Sequence, residues 1–513
     1  MKKGISRRRF IGMMGTGAAA LWAANIRGAE RKSGKPNLLF LWCDQQRKDT
    51  MSVYGNTKIH APNLNKLAAE SLVFLNPYDS QPVCTPARST VMTGLWPHMN
   101  GCLANNIPLS KQIPTLPEIL NDPDYRTGYF GKWHLGDEIF AQHGFEEWAS
   151  TEDGYNKYYS KERDPNMRSG YCHFLIEKGY KPEKNDVFSR NFAVRLPIEH
   201  CKPKFLEMKA VDFLKRHKGE PFILYVNFLE PHGPHWGPLN DEHDPNQVDL
   251  PPNFNDPLEE DEPLFYRRRL ESQKDAKTEA DWRRFIAIYW GQVTQVDLSI
   301  GAILKALEDL GLAENTIVVH TADHGEMMGA HHLTGKTVQF QESVQVPWLM
   351  RIPQMGRKQR LIERAVSHID MVPTVLDCMG RPMEGRFPGQ SLLPLARGEK
   401  VAEDHVFIEW NFVEGKGDKT KKPSGKEDKK GKSSEEAGAE SGPVPQAFIR
   451  TVVSPDGWKL CLADRDKHQL FNLQKDPWET TNLYYTGQHG EVITRLRDRI
   501  HTWQEKVKDH IKV

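Results

Sequence analysis

Two residue pairs that begin with aspartate lie where they could hold a metal ion. Asp44-Gln45 and Asp323-His324 are far apart in the sequence, but each pair follows a short apolar run that is suited to a buried strand. Active sites in parallel sheets gather beyond the carboxyl ends of the strands, so the sequence predicts that the two pairs meet. Carboxylate and amide oxygens suit a hard divalent cation, Ca²⁺ before Mg²⁺. Taken alone, each pair would be more typical of a helix N-cap or a loop.

A cysteine lies in a second segment with chemical potential. Residues 84–88 read CTPAR and residues 93–94 read TG. Proline is preferred in the first turn of a helix, so Pro86 predicts a helix that directs free N–H groups towards Cys84, a favourable place for an anion. Without this context the cysteine would be interpreted as a buried free thiol. Pro86 and Arg88, each taken alone, would indicate only the start of a helix.

Basic residues recur in three further positions. Lys132 and His134 alternate around Trp133 in the run YRTGYFGKWHLG, so on an extended segment both side chains point to one face. His232 lies in EPHGP just after a predicted strand, and Lys336 lies in GKT. An imidazole titrates near neutral pH and suits a general base. Taken alone, the GKWH run would more often be a loop.

Together these segments resemble the motifs of type I sulfatases of the alkaline phosphatase superfamily. The motifs Asp-Gln, Cys-x-Pro-x-Arg, Gly-Lys-Trp-His, Pro-His-x-Pro, Asp-His-Gly and Gly-Lys occur in the family's order, and the resemblance extends from about residue 37 to residue 485. In that family a formylglycine-generating maturation enzyme oxidises the cysteine to an aldehyde, whose hydrate offers one hydroxyl that attacks sulfur and another that expels sulfate. The resemblance therefore implies a sulfatase that hydrolyses a sulfate monoester through a nucleophile made from Cys84.

The resemblance also implies which side chains hold the metal. In the family, Ca²⁺ is held against the sulfate by carboxylates, an amide or imidazole, and one formylglycine oxygen. The corresponding positions here are Asp44, Gln45, Asp323, His324 and residue 84. Arg88 corresponds to the arginine that braces the formylglycine hydroxyl and the metal carboxylates.

Further roles follow from the same resemblance. Lys132 bridges the anionic substrate and the diol, and His134 takes the diol proton that allows sulfate to leave. Asn106 aligns with an asparagine that touches the substrate or metal-bound oxygens in some members.

The remaining implied roles concern the leaving group. His232 contacts the sulfate or the leaving oxygen, with His235 as an alternative that fits the pattern less well. Lys336 contacts the sulfate and can protonate the departing alcohol.

Two positions depart from the common sulfatase pattern. Many sulfatases have aspartate where this chain has Gln45 and asparagine where it has His324, whereas phosphonate monoester hydrolases of the superfamily carry glutamine and histidine. A phosphonate monoester or phosphodiester hydrolase on the same scaffold is therefore the alternative, and the missing carboxylate should weaken metal binding. A non-catalytic relative that binds sulfated glycans is a second alternative. Such a relative would be expected to have lost at least one of Cys84, Lys132, His134 or Asp323, all of which are present.

The first 29 residues resemble a twin-arginine export signal. A basic head with the run SRRRFI at 6–11 precedes an apolar stretch at 11–24, which is too short to span a bilayer. The resemblance implies passage through the twin-arginine translocation machinery to a periplasmic or otherwise exported location. No later segment is long and apolar enough to predict a stable membrane span. A disordered basic tail is the alternative interpretation.

Charge and cysteine usage narrow the possible partners. The 513 residues carry a formal net charge of +1, and residues 1–29 contain six basic groups and no acidic one, so their removal leaves −5. A mildly acidic protein is a poor candidate for nucleic-acid binding. Seven scattered cysteines form no Cys-x-x-Cys pair, and their pairing is open. The expected substrate is a sulfated small molecule or glycan, and export favours a sulfated polysaccharide or its fragments.

The elements that must position these residues form an α/β pattern. Apolar runs at 37–43, 221–229 and 316–322 alternate with helical segments such as 63–71 and 287–310. This predicts a large mixed, mostly parallel sheet flanked by helices.

The domain prediction places the catalytic domain at 35–400 and a smaller C-terminal α+β subdomain at 401–513. The subdomain is predicted from strand-like runs at 447–453, 458–462 and 469–473 and a final helix. It contains a predicted disordered loop at 414–443, and residues 240–280 are predicted to form a polar surface excursion.

Overall fold

The computed structural model describes residues 34–513 except 156–159, 161–162, 165, 274–277, 384, 400, 402–403 and 414–445. The predicted export signal at 1–29 and the predicted disordered loop at 414–443 lie outside the described residues, so both stay predictions. Within the described part of the chain, no helix combines the length and the apolar character that a membrane span requires.

Eight strands form the large sheet in the order β4-β3-β5-β1-β6-β7-β2-β8. The strands are β1 (Asn37–Asp44), β2 (Leu72–Tyr78), β3 (Arg126–Gly131), β4 (Glu147–Ala149), β5 (Phe222–Pro231), β6 (Thr316–Ala322), β7 (Trp348–Arg351) and β8 (Arg360–Ser367). Only β7 runs antiparallel to its neighbours β6 and β2; the other pairs are parallel. The predicted large mixed, mostly parallel sheet is confirmed.

Helices cover both faces of this sheet. In chain order the α-helices of the described residues are α1 (Pro62–Ala69), α2 (Cys84–Thr93), α3 (Pro97–Asn100), α4 (Leu116–Leu120), α5 (Gly170–Glu177), α6 (Arg190–Ala193), α7 (Lys202–Arg216), α8 (Leu264–Ser272), α9 (Glu279–Asp309), α10 (Gln341–Val344), α11 (Met371–Cys378), α12 (Leu393–Ala396) and α13 (Gly490–Val507). Leu39 and Leu41 of β1 pack with α1, α7 and α9, while Phe40 and Trp42 pack with α2 and α11 on the other face. Because both faces are covered, β1 is buried along its whole length.

A second, four-stranded antiparallel sheet lies near the C-terminus in the order β12-β11-β10-β9. Its strands are β9 (Val406–Trp410), β10 (Ile449–Val453), β11 (Trp458–Ala463) and β12 (Gln469–Asn472). Helix α13, which was predicted as the final helix, packs on it through Leu496, Ile500 and Trp503. The strand β9 was not foreseen, and the predicted domain boundary between 400 and 401 stays a prediction.

Two further expectations concern residues 240–280 and the cysteines. The prediction that 240–280 is a surface excursion is wrong in part, because α8 lies in it and buries Phe265 and Tyr266 against neighbouring apolar residues. The pairing of the cysteines was left open by the sequence. All seven are free and buried, so none of them forms a disulfide.

Candidate active site

Helix α2 begins at Cys84, so the cysteine lies at the amino-terminal end of a helix as Pro86 predicted. Its side chain is 1% exposed. The thiol Sγ lies 3.2 Å from Nε2 of His324 and 3.3 Å from Nζ of Lys336. Oδ1 of Asp44 is 3.7 Å away. The sulfur marks the position at which the oxygens of a formylglycine would be attached to the same Cβ.

Arg88 lies one turn further along α2 and joins both candidate metal carboxylates. Its Nη2 donates to Oδ2 of Asp44 at 3.0 Å, and its Nε donates to Oδ2 of Asp323 at 2.9 Å. Its Nη1 donates to the carbonyl of Lys132 and to Oδ1 of Asn227, both at 2.9 Å. The side chain has no exposed surface. Arg88 therefore fixes the spacing of the two carboxylates.

The carboxylates meet because β1 and β6 are parallel neighbours. Cys43 pairs with Ala322 in the register of these strands. Asp44 was predicted to follow its strand, but it is the last residue of β1. Asp323 follows β6 directly, as predicted. Burial opposes ionisation, but Lys132 and other nearby cations hold the pKa of Asp44 well below its usual range.

Ligand atoms of four side chains lie within 4.8 Å of one another at this edge: Asp44, Cys84, Asp323 and His324. The carbonyl of Gly325 accepts a hydrogen bond from Nδ1 of His324 at 2.9 Å, so Nε2 is the nitrogen that faces the two carboxylates and could bind a metal. Two buried carboxylates and an oriented imidazole fit a divalent cation.

Gln45 faces the same centre with a left-handed backbone, φ 66°. Its Oε1 accepts a hydrogen bond from Nζ of Lys336 at 2.9 Å, and its Nε2 donates to Glu326. The amide oxygen therefore lies beside the cysteine pocket, but it already binds a lysine. A role for Gln45 as a metal ligand stays a prediction.

Lys132 follows the end of β3, where the chain turns at Gly131 with φ 119°. A Cβ on Gly131 would lie 1.8 Å from the carbonyl oxygen of Asn227, so only glycine fits. Nζ of Lys132 forms an ion pair with Asp44 and lies 3.8 Å from Sγ of Cys84. Burial would lower its pKa, but the charge of Asp44 outweighs burial and raises it. Lys132 is therefore a permanent cation.

His134 is held by three neighbours and does not lie on the extended segment that was predicted, because its φ is 56°. Its backbone N–H donates to Glu138 at 2.6 Å, and its ring stacks on Tyr155 with centroids 4.5 Å apart. Its Nε2 lies 2.8 Å from Oδ1 of Asn106. A carbonyl oxygen only accepts, so Nε2 carries the proton and Nδ1 is the basic nitrogen. Nδ1 is buried with no hydrogen-bond partner among the described residues.

Tyr155 in turn is anchored by a chain of charged groups. Its hydroxyl accepts a hydrogen bond from Nη2 of Arg190 at 2.8 Å, and Nε of Arg190 donates to Glu152 at 2.7 Å. Lys202 forms a second ion pair with the same buried carboxylate. This chain orients the ring that stacks on His134.

His232 lies close to the same centre. The carbonyl of Gly233 accepts a hydrogen bond from its Nδ1 at 2.8 Å. Burial, together with the charge of Lys336, holds its pKa well below the ordinary value of 6.5, so the ring is neutral at pH 7. The alternative His235 instead contacts Gln292 and packs edge-on against Phe285.

The loop that carries Lys336 is braced from the segment that was expected to be a surface excursion. Arg269 of α8 donates to the carbonyls of Lys336 and Thr334 and to the hydroxyl of Thr337. Glu326 accepts the backbone N–H of Gly335. These contacts hold the lysine beside Cys84.

A profile of the sulfatase family matches residues 36–381, which is more than half of the chain. The chain belongs to the sulfatase family. The sulfatase YidJ of Escherichia coli, described as uncharacterized, is 27% identical over 93% of this chain and 88% of its own length. The N-acetylglucosamine-6-O-sulfatase of Bacteroides thetaiotaomicron is 24% identical over 96% of this chain and 90% of its own. Membership makes this protein a sulfuric ester hydrolase.

Solved structures show the same fold. The phosphonate monoester hydrolase SpPMH from Silicibacter pomeroyi superposes with a TM-score of 0.73 at 22% identity, covering 93% of this sulfatase and 96% of the hydrolase. At this identity the likeness establishes the architecture alone.

The motifs located most of this sulfatase centre, but sequence reasoning missed the residues that support it. Cys84, Arg88, Lys132 and Lys336 surround the two aspartates as the motif order indicated. Asn106 contacts His134, where a contact to substrate or metal-bound oxygens was expected. The supporting residues that were missed are Glu138, Glu152, Tyr155, Arg190, Asn227, Arg269 and Glu326. A signal existed only for Asn227, which lies within the predicted strand 221–229, and for Glu326, which follows the predicted strand 316–322 by four residues.

Proposed function

We propose that this sulfatase hydrolyses a sulfate monoester of a carbohydrate, with a formylglycine made from Cys84 and a bound Ca²⁺. The observation that carries the proposal is the position of Sγ of Cys84 within 3.8 Å of two lysine ammonium groups, an imidazole and a carboxylate. Three cations, Arg88, Lys132 and Lys336, contact Cys84 or the carboxylates of Asp44 and Asp323, so this innermost set of groups has one positive charge in excess before any metal binds. An anionic ester complements that charge.

Formylglycine at residue 84, once hydrated, would supply the hydroxyl nucleophile for sulfur. Lys132 is held as a cation by Asp44 and neutralises charge on the sulfate throughout the reaction. Lys336, at 3.3 Å from Sγ of Cys84, can donate a proton to the departing alcohol oxygen, and His232 is the second candidate donor. Hydrolysis of the ester by water then yields one alcohol and one sulfate ion.

His134 is the proposed general base. Burial and the charge of Lys132 hold its pKa well below the ordinary value of 6.5, so it is neutral near pH 7 and can accept a proton at Nδ1. Asn106, Glu138 and Tyr155 fix the orientation of the ring. The role of these residues is to hold the base in one tautomer.

The proposed metal is Ca²⁺, with Mg²⁺ as the second choice. The residues that would hold it are Asp44, Asp323, His324 and the oxygen on residue 84, with Gln45 as a further candidate. A bound cation would polarise the sulfate oxygens. Dialysis against EDTA should abolish hydrolysis of an aryl sulfate, and titration with Ca²⁺ should restore it at lower concentration than Mg²⁺. Full activity in metal-free protein would refute the metal assignment.

A sulfated carbohydrate is the proposed substrate class. It is supported by the name of the N-acetylglucosamine-6-O-sulfatase, which covers nearly the whole chain, and by the resemblance of the first 29 residues to an export signal. We further propose a periplasmic or otherwise exported location, reached through the twin-arginine machinery after a maturation enzyme has modified Cys84.

A phosphonate monoester or phosphodiester is the second candidate substrate. Gln45 and His324 favour it, because both side chains contact groups that surround Cys84 and both depart from the common sulfatase pattern. The ratio of kcat/KM for an aryl sulfate to that for the matching aryl phosphonate discriminates the two. A ratio above one supports the sulfatase assignment, and a ratio below one favours the alternative.

The deciding experiment is peptide mass spectrometry of the segment that contains residue 84, on active protein from an exporting host. Formylglycine in place of cysteine is the expected result. Unmodified cysteine throughout an active preparation would refute the proposed nucleophile, whatever the substrate.

A further inference from the structure

A cavity of about 580 Å³ lies between the large sheet and the C-terminal sheet, and no candidate catalytic residue lines it. Its walls come from β2, β8 and α10 on one side and from the β10–β11 turn and the segment after β12 on the other. A cavity of this volume lies within the range of small-molecule sites. This cavity is thus separate from the catalytic centre.

The cavity presents an aromatic surface that the fold does not use. Trp478 lines it and is 43% exposed, whereas large apolar side chains of a domain are usually buried. The two other aromatic residues of the lining are tied by hydrogen bonds. Tyr54 donates to the carbonyl of Phe74 at 3.0 Å, and the hydroxyl of Tyr78 accepts from Gln341 at 3.1 Å. Trp478 therefore supplies the flat apolar face.

The positive and negative charges of the lining are nearly balanced. Three basic and four acidic residues line the cavity, in contrast to the positive excess around Cys84. Arg47 is engaged by both carboxylate oxygens of Asp49 at 2.7 Å and by two backbone carbonyls.

Amide side chains, which both donate and accept hydrogen bonds, are among the polar groups of the lining. Asn76 donates through Nδ2 to the carbonyl of Glu363 at 2.7 Å, and Gln345 and Gln474 also line the cavity. Sugar hydroxyls likewise donate and accept, and the C–H face of a pyranose packs on an aromatic ring. We propose that this cavity is a second carbohydrate site, which binds an uncharged sugar unit stacked on Trp478. It does not depend on the activity assigned to Cys84.

The test is saturation-transfer NMR with D-glucose, D-galactose and N-acetyl-D-glucosamine as neutral probes and D-glucuronate and inorganic sulfate as charged ones. At least one neutral sugar should receive saturation from the wild type and equally from C84A, because the site is not the catalytic centre. Trp478→Ala should weaken the signal by about ten-fold, and Gln474→Ala should weaken it less. Both residues are exposed, so these variants are expected to fold.

Trp236→Ala is the matched control, since Trp236 is 41% exposed and does not line the cavity. The control should retain the signal. The proposal is overturned if no neutral sugar receives saturation, if the signal survives Trp478→Ala, if Trp236→Ala removes it as fully, or if only glucuronate or sulfate binds.

Discussion

The catalytic centre and the C-terminal sheet both bury ion pairs, but they balance the charges differently. In the C-terminal subdomain, Lys459 pairs with Glu479 at 2.6 Å and Arg450 pairs with Asp509 at 2.6 Å. Each pair has one cation and one carboxylate, and the remaining donors of Arg450 bind backbone carbonyls and an amide oxygen. In each of these pairs the positive and negative charges cancel.

Around Cys84 the charges do not cancel. The cations that contact the thiol or the two aspartates outnumber those two carboxylates. Arg88 and Lys132 share Asp44 and Asp323, and Lys336 donates to the amide oxygen of Gln45 and lies beside the thiol. Burying unbalanced charge costs stability. The comparison teaches that the C-terminal pairs serve the fold, whereas the excess charge at the centre is suited to an anion that arrives from outside.

Replacing the cysteine should separate chemistry from folding. Cys84→Ala should lower kcat for an aryl sulfate by about 10⁴-fold or more, because no other side chain occupies the position of the nucleophile. Thermal unfolding should remain close to that of the wild type, since the charge pairs around residue 84 are unchanged. Cys378→Ala is a matched control, because Cys378 is also buried but lies in α11 away from the centre. Comparable loss in both variants would contradict the assignment.

Arginine-to-lysine changes in the two regions test whether each arginine serves stability alone or catalysis as well. Arg88→Lys and Arg450→Lys both keep the charge but lose the multiple donors of the guanidinium, so each should reduce the free energy of unfolding by about 2 kcal/mol. Only Arg88→Lys should also lower kcat, by about 10²- to 10³-fold, because it alone spaces the two aspartates. Urea unfolding and steady-state kinetics on both proteins provide the measurement. An equal loss of kcat in Arg450→Lys would contradict the division between fold and function.

Adding a negative charge beside the base should shift the pH dependence. His134 must be neutral to accept a proton, and its pKa lies well below 6.5, so wild-type activity should persist as the pH falls below 6.5. Asn106→Asp places a carboxylate at Nε2 of His134, which raises the pKa of the imidazole and should move the acidic limb of kcat upwards by about one pH unit. Asn106→Ala removes the contact without adding charge and should leave the limb at low pH. Identical limbs in the two variants would exclude His134 as the titrating base.

The sequence predicted the positions that depend on strand order and motif spacing. Asp44 and Asp323 were expected to meet because parallel strands end at a common edge, and β1 and β6 are indeed adjacent. The sequence did not predict Tyr155, which lies in a loop and whose partner Arg190 begins helix α6, because stacking and salt-bridge geometry depend on how distant segments pack. The cavity beside Trp478 was also invisible, since its walls belong to two sheets whose approach no local pattern encodes.

The burial of Cys84 has a consequence for how the protein must be made. A side chain that is 1% exposed, at the start of a helix whose every residue is buried, offers no access to a second enzyme. Any oxidation of this cysteine by a separate catalyst must therefore occur while the chain is still open. Maturation and folding then compete in time, and a chain that folds first is a stable but permanently immature product. The yield of active protein would then depend on whether oxidation of Cys84 or folding comes first in the cell. The mature and the immature chain would have the same overall fold.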